Sequence, residues 1–225
     1  MVFHYRSTAA GQTVELYAGV DKFENEDLLK HAPATDVWVH VDKLSSPHVY
    51  IRIDRSKDCA WTYKTLPPQV MMDAGQLVKA GSIAGNKKDN VTILFTPTSN
   101  LLKDNSMSTG AVSFHNPQMV HRFHVPTKEN AIVNALTKTK QTRTMEQFID
   151  QVQEMLKAEA RRQKAEANER KNAELQLARE RKAQMQARDY ATLSAPVVTS
   201  TAEDEDAEWE RRQKVGEFDP DEDFM

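Results

Sequence analysis

From Met145 to Ala195 no proline or glycine interrupts the chain, and Ala, Glu, Gln, Lys and Arg dominate the stretch. All five are strong helix formers. Immediately upstream, Thr144-Met145-Glu146-Gln147 has the spacing of a capping box, in which the Thr hydroxyl and the Gln side chain satisfy donors that a helix start leaves unpaired. The stretch predicts one helix from residue 145 to about 190, extending roughly 70 Å at about 1.5 Å per residue. Ile149, Val152 and Leu156 have the a/d spacing of a coiled-coil seam, but the same register next delivers Glu159, Gln163, Glu166 and Arg170. Pairs such as Glu166 with Arg170 at i,i+4 contribute only about 0.2–0.5 kcal/mol each. The reading is a lone charged helix, with an intermolecular coiled coil and partial disorder as the alternatives.

A core must therefore come from elsewhere, and the composition says where. All 7 His residues and every Gly except Gly216 precede residue 125, so turn-forming residues are concentrated in the first half. Residues 1–130 carry 14 Lys/Arg against 13 Asp/Glu, residues 131–193 carry 13 against 9, and residues 194–225 carry 3 against 11. A net charge of −3 thus hides a basic helix joined to an acidic tail, a pattern that suits a partner-binding arm. The division is a head at 1–126, a connector with a short helix at 127–143, a long charged helix at 144–193 and an acidic tail at 194–225. The tail is expected to be disordered when unbound, with Trp209 and Phe218 as docking anchors.

A single cysteine, Cys59, cannot form an internal disulfide, and MVFHYRST lacks the apolar core of a secretory signal. The expected compartment is the cytoplasm, with a nuclear or membrane-associated location as alternatives. No window approaches the roughly 18 apolar residues of a membrane span.

Within the head, Val14 to Ala18 reads as a strand, and Asn25-Glu26-Asp27 as a helix start before Leu28 and Leu29, ended by Pro33. Asp36-Val37-Trp38-Val39-His40-Val41-Asp42 alternates strictly, as does His48-Val49-Tyr50-Ile51-Arg52-Ile53 after a short connection. The pair predicts an antiparallel hairpin, its aliphatic residues facing the core and Asp36, Trp38, His40, His48, Tyr50 and Arg52 displayed on the opposite face. Pro67 and Pro68 fit the first turn of a helix through about Ala80, with Val70, Ala74, Leu77 and Val78 as its apolar stripe. Val91–Thr96, Gly110–Phe114 and Val120–Val125 read as further strands, and Thr127–Lys138 as a short helix docked by Ile132, Val133 and Leu136. The fold class is α+β: a small mixed sheet with one main covering helix.

The displayed face suits nucleic acid: Trp38 or Tyr50 to stack on a base, Arg52 and Lys43 to contact phosphate, and His40 and His48 to donate hydrogen bonds. The alternative is structural, with Trp38 packed under the Pro67 helix and His40 capping a loop. Lys79, Lys87 and Lys88 surround a turn with Asn86 and Asn90, read either as a phosphate-contacting patch or as a solvated turn. The basic runs Arg161-Arg162-Gln163-Lys164 and Arg179-Glu180-Arg181-Lys182 offer further electrostatic contact. No catalytic, cofactor or metal set is visible: His121 and His124 fall on opposite strand faces, and no Gly-rich phosphate loop occurs.

Asn25-Glu26-Asp27-Leu28, Asp36-Val37-Trp38-Val39-His40-Val41 and Ser46-Pro47-His48-Val49, followed by Ala74 to Ser82 and Thr92-Ile93-Leu94-Phe95-Thr96, resemble the NFACT-R domain of ribosome-associated quality-control factors. With the charged helix and the ending Asp223-Phe224-Met225, the chain looks closest to the free-standing members, the coiled-coil domain-containing protein 25 family. The resemblance implies a noncatalytic nucleic-acid-binding adaptor that takes tRNA or ribosomal RNA in translation or ribosome quality control. Two alternatives stand beside it: a protein-interaction scaffold whose partners bind the helix and acidic tail, and a DNA-binding, membrane-associated receptor.

Overall fold

The computed structural model describes residues 1–53, 61–104 and 106–194, with side chains through Arg188. The acidic tail and its anchors Trp209 and Phe218 lie outside the described residues, as does Cys59. Contacts group the chain into two units, Met1–Gln163 and Lys164–Met225.

The first unit is built on a seven-stranded sheet. In chain order the elements of the whole chain are β1 (Val2–Ser7), β2 (Val14–Gly19), α1 (Lys22–His31), β3 (Val37–Val41), β4 (Val49–Ile51), α2 (Pro68–Gly81) and β5 (Val91–Pro97). There follow β6 (Leu101–Leu102), β7 (Ser113–Phe114), β8 (His121–Val125), α3 (Asn130–Lys138), β9 (Gln141–Arg143) and α4 (Met145–Ser194). The strand order is β8-β5-β3-β4-β2-β1-β9, with β6 and β7 forming a separate two-stranded ribbon. Where the sequence suggests a mixed sheet, every pairing is antiparallel.

The expected hairpin is present in the expected register, with Trp38 opposite Tyr50 and Val39 opposite Val49. Its aliphatic side chains continue across the sheet: Val37, Ile51, Leu16 and Tyr5 lie in one row, Phe95, Val39, Val49 and Ala18 in the next. Val70, Ala74 and Val78 of α2 and Leu136 of α3 close this face, and all are buried. Full burial of each such aliphatic side chain stabilises by about 1.5–3 kcal/mol, so this layer supplies the main core. Gly81 ends α2 at a close approach: a Cβ there would stand 2.6 Å from Pro47 Cγ, which keeps the Ser45–Pro47 loop against the helix end.

Several boundaries shift for identifiable reasons. Helix α1 starts at Lys22, capped by Asp21, whose Oδ1 accepts from the Phe23 and Glu24 amides at 2.9 Å. Asn25, the expected start, is instead a buried residue inside the helix. The Gly110–Phe114 run yields only the two residues of β7, because it pairs with β6 rather than joining the large sheet. Strands β1 and β9 have no counterpart among the expected elements. The capping box holds: the Thr144 amide donates to Gln147 Oε1 at 3.1 Å and the Gln147 amide to Thr144 Oγ1 at 3.2 Å.

The first turns of α4 belong to the first unit. Phe148 and Val152 are buried, while Leu156 is 47% exposed. The apolar start of the helix is therefore a docking stripe on the head. In the second unit, Leu175, Leu177 and Met185 are exposed among charged neighbours, as on a solvated helix.

Candidate nucleic-acid interface

The sheet's second face carries the aromatic and polar residues expected there, as the alternation of β3 and β4 requires. His4, Tyr17, Tyr50, Trp38 and Thr96 form one cross-strand row. The expectation that this face is displayed is corrected by the structure. Tyr50 and Asp36 are fully buried, Trp38 is 2% exposed, His48 3% and Arg52 8%. The cover comes from three places distant in sequence: Leu28 of α1, Phe114 of β7, and Phe148 with Val152 of α4. Tyr17 stacks on Tyr50 at 5.0 Å between ring centroids and meets Phe148 at 4.9 Å. Trp38 packs edge-on against Phe114, on the side away from α2, so it does not lie under the Pro67 helix either.

Burial of this face forces its charges to answer one another. The Arg52 guanidinium lies over the rings of Tyr17 and Phe148, at 4.9 and 5.3 Å. It stands 3.3 Å from Glu15 Oε2 and 3.5 Å from Asp36 Oδ2, though none of its nitrogens makes a hydrogen bond of good geometry. The Tyr17 hydroxyl donates to Asp36 Oδ2 at 2.7 Å and the Ile53 amide to Asp36 Oδ1 at 3.2 Å. Burial pushes the Asp36 carboxyl up to about 6, against the downward pull of Arg52 and Tyr17. Asp36, Tyr50 and Arg52 are thus enclosed as folded. They organise the junction with α4 rather than offering atoms to solvent.

One part of the face stays open. Trp38, His40, Lys43, His48, Val112 and Phe114 line a pocket of about 270 Å³. Trp38 and His40 stack with their rings 3° from parallel, and His48 stands edge-on to both at 5.3 and 5.1 Å. His40 donates from Nδ1 to the Val41 carbonyl at 2.7 Å. Burial lowers the His48 pKa to about 3, with His40 adding repulsion, so at neutral pH His48 is an uncharged imidazole. Burial also lowers His40. Gly110, at φ 83°, turns the chain into the pocket wall, and its amide donates to Glu26 Oε1 at 3.1 Å, tying the wall to α1. Lys103, 2.7 Å from Glu26, donates to the Ser108 and Ala111 carbonyls and braces the same wall.

The lysines divide. Lys43 is exposed at the pocket rim, in a left-handed turn with φ 59°. Lys87 and Lys88 are exposed on the turn after α2. Lys79, grouped with them from the sequence, is fully buried, and its ammonium donates to the Lys88 carbonyl. It is a strut for the turn, its ammonium held by a carbonyl of that turn. The turn and the Lys43 loop are neighbours: Ser82, at the end of α2, donates through Oγ to the Ser45 carbonyl at 2.6 Å.

Sequence reasoning did not place Arg122 on this face, and it weighed His124 only as a metal ligand. Leu94 pairs with His40 on one side and Arg122 on the other, so His40, Leu94 and Arg122 form a row leading from the pocket to the sheet edge. Arg122 and His124 are exposed, and His124 Nδ1 lies 3.3 Å from the Thr92 hydroxyl. The alternation of β8 carried the signal, but only the pairing of β8 with β5 shows whose neighbours they are. His121 points to the other face, in ring contact with Phe95 and Tyr63.

Among the described residues no group of three or more His, Cys, Asp or Glu is placed to hold a metal ion, and no helix is long and apolar enough to cross a membrane.

The family model described as the NFACT protein RNA binding domain matches residues 1–116. Coiled-coil domain-containing protein 25 of Bos taurus is 41% identical over 187 residues, spanning 82% of this chain and 84% of its own. The protein of that name in Danio rerio is 44% identical over 143 residues, 64% of this chain and 67% of its own. A solved structure, the C-terminal part of the fibronectin/fibrinogen-binding protein from Streptococcus suis, aligns with a TM-score of 0.47 at 19% identity, covering 61% of this chain and 49% of that one. By family model and by identity over most of its length, the chain belongs to the coiled-coil domain-containing protein 25 family, with an NFACT-type domain as its head.

Proposed function

We propose that this protein is a noncatalytic RNA-binding adaptor, acting in the cytoplasm on tRNA or ribosomal RNA in translation or ribosome quality control. The observation that carries the reading is the NFACT RNA-binding match over residues 1–116, which spans both the pocket and its lysine-bearing rim. Exposed Lys43, Lys87 and Lys88 lie on adjacent loops beside an aromatic cleft, the combination that single-stranded RNA requires: cations for the phosphates and flat faces for the bases.

The test is cross-linking in cells followed by sequencing of the RNA bound to the full chain. Enrichment of tRNA or ribosomal RNA is expected, with recovery falling severalfold in a Lys43→Ala, Lys87→Ala, Lys88→Ala variant. These exposed substitutions should leave stability within about 0.5 kcal/mol. Recovery of RNA no greater than from an unrelated control would overturn the reading, and equal recovery by the variant would move the contact away from these loops.

A further inference from the structure

Resting on the RNA reading, we propose that the pocket between β3 and the β6–β7 ribbon takes one unstacked base of single-stranded RNA, with the flanking backbone running along Lys43 and Arg122. Size comes first. At about 270 Å³ the pocket lies just under the range of about 300–1,000 Å³ usual for small-molecule sites. It suits a single planar ring system rather than a run of nucleotides.

Shape and chemistry agree with size. Trp38 and His40 stack in parallel and Phe114 meets Trp38 at an angle of 64°, so aromatic rings bound the pocket on two sides, and the half-buried His40 and Phe114 are the rings a base can reach. Such walls accept any base, because every base presents a π-face. Two buried polar atoms in these lining residues, Trp38 Nε1 and His48 Nδ1, have no hydrogen-bond partner. Buried polar atoms are nearly always paired in folded proteins. They belong to residues 2% and 3% exposed, so the pocket must open further for a base edge to pair them.

Charge is placed outside the pocket rather than in it. Lys43 stands on the rim, and Arg122 lies in the cross-strand row beyond Leu94. Both are exposed cations, and Asp42, adjoining Lys43 in the chain, is the acidic group acting on His40. An apolar slot flanked by cations separates base from phosphate, as a single strand does and as a duplex with its bases stacked inside does not.

The experiment measures anisotropy of a fluorescein-labelled short single-stranded RNA, and of a duplex of equal charge, against the full-length protein. Ala111→Trp fills the pocket from its half-exposed wall and leaves every cation in place. The inference expects this variant to bind the single strand roughly tenfold or more weakly, the loss of one stacked base, with duplex affinity unchanged. Single-strand affinity equal to wild type overturns the base pocket and leaves the RNA reading standing. No binding of either RNA by the wild type overturns the base pocket, and the RNA reading falls with it when cross-linking in cells also recovers no RNA above control. Should Ala111→Trp fail to fold, cross-linking of wild-type protein to RNA carrying 4-thiouridine, followed by peptide mapping, decides between the outcomes. Adducts within His40–Lys43 or Ala111–Phe114 support the pocket, and adducts confined to other peptides overturn it.

Discussion

The two faces of the sheet are built from the same strands and solve burial differently. The face under α2 and α3 is aliphatic, so its stability comes from area removed from water and requires no particular orientation of its side chains. The face under α1, the β6–β7 ribbon and the start of α4 is aromatic and charged, and each polar atom there needs a partner. Arg52, Asp36, Glu15 and Tyr17 partly supply one another, while Tyr50 Oη, Trp38 Nε1 and His48 Nδ1 go without. The first face holds the head together. The second fixes where α4 begins and leaves a pocket where its cover stops.

If the second face is a true core, cutting its cover should cost as much as cutting the first. Phe148 is fully buried, packed on Tyr17 and beneath Arg52. Phe148→Ala should lower unfolding free energy by about 3–5 kcal/mol, the usual range for a buried aromatic. A loss below about 1 kcal/mol in urea titrations would show that α4 only rests against the head.

Arg52 separates the structural role from direct binding. Arg52→Ala strands Asp36 and opens space between two rings, which should cost about 3–5 kcal/mol. Arg52→Met fills the space without the charge and should recover a large part of that loss. Were Arg52 a phosphate contact, both variants would weaken RNA binding while keeping wild-type urea midpoints.

The polar face should also titrate. His48 is near 3 as folded and about 6.5 when unfolded, so between those values the unfolded chain holds the extra proton. Its contribution therefore falls as pH drops through that window. Asp36, raised from 3.8 to about 6, binds its proton in the folded state first and contributes in the opposite sense between those values. The two oppose each other where their windows overlap, between 3.8 and about 6, and partly cancel there. Replacing His48 by Leu removes one arm. Relative to wild type the variant should gain stability as pH falls from about 6.5 to 3, by at most about 1.4 kcal/mol per pH unit. Parallel urea midpoints for the two proteins would show no divergence if the imidazole is hydrated.

What the sequence disclosed follows the same division. The β3–β4 hairpin and its register were legible because period-2 alternation with Val and Ile on one side has one burial solution. The α2 and α4 starts were legible from Pro67-Pro68 and from Thr144 with Gln147, which are local chemistry. Strand β1 was not, because Val2, His4 and Arg6 alternate with Phe3, Tyr5 and Ser7 and neither set is uniformly apolar. Strand β9 is three polar residues whose only strand signal is its pairing with β1. The second core escaped because its lid is long-range: Trp38 meets Phe114, and Tyr17 meets Phe148. A face read from its own strand looks displayed when its cover lies in another part of the chain. Lys79 was misplaced for the same reason, since the carbonyl holding it belongs to the turn nine residues on.

The lysines of that turn give the smallest stability effect and the finest comparison. Lys87→Ala and Lys88→Ala remove exposed charges and should each change stability by less than about 0.5 kcal/mol. If each contacts a phosphate, the log–log salt slope of RNA binding should lose about 0.7 per substitution, the single-strand value. Lys79→Met should do the reverse. It keeps the aliphatic stem in place but leaves the Lys88 carbonyl without its donor, loosening the turn at a cost of about 1–3 kcal/mol. Its salt slope should stay at the wild-type value, because a buried ammonium releases no counterions. A reduced slope for Lys79→Met with an unchanged urea midpoint would mean that the ammonium reaches RNA after all, and would return Lys79 to the exposed group.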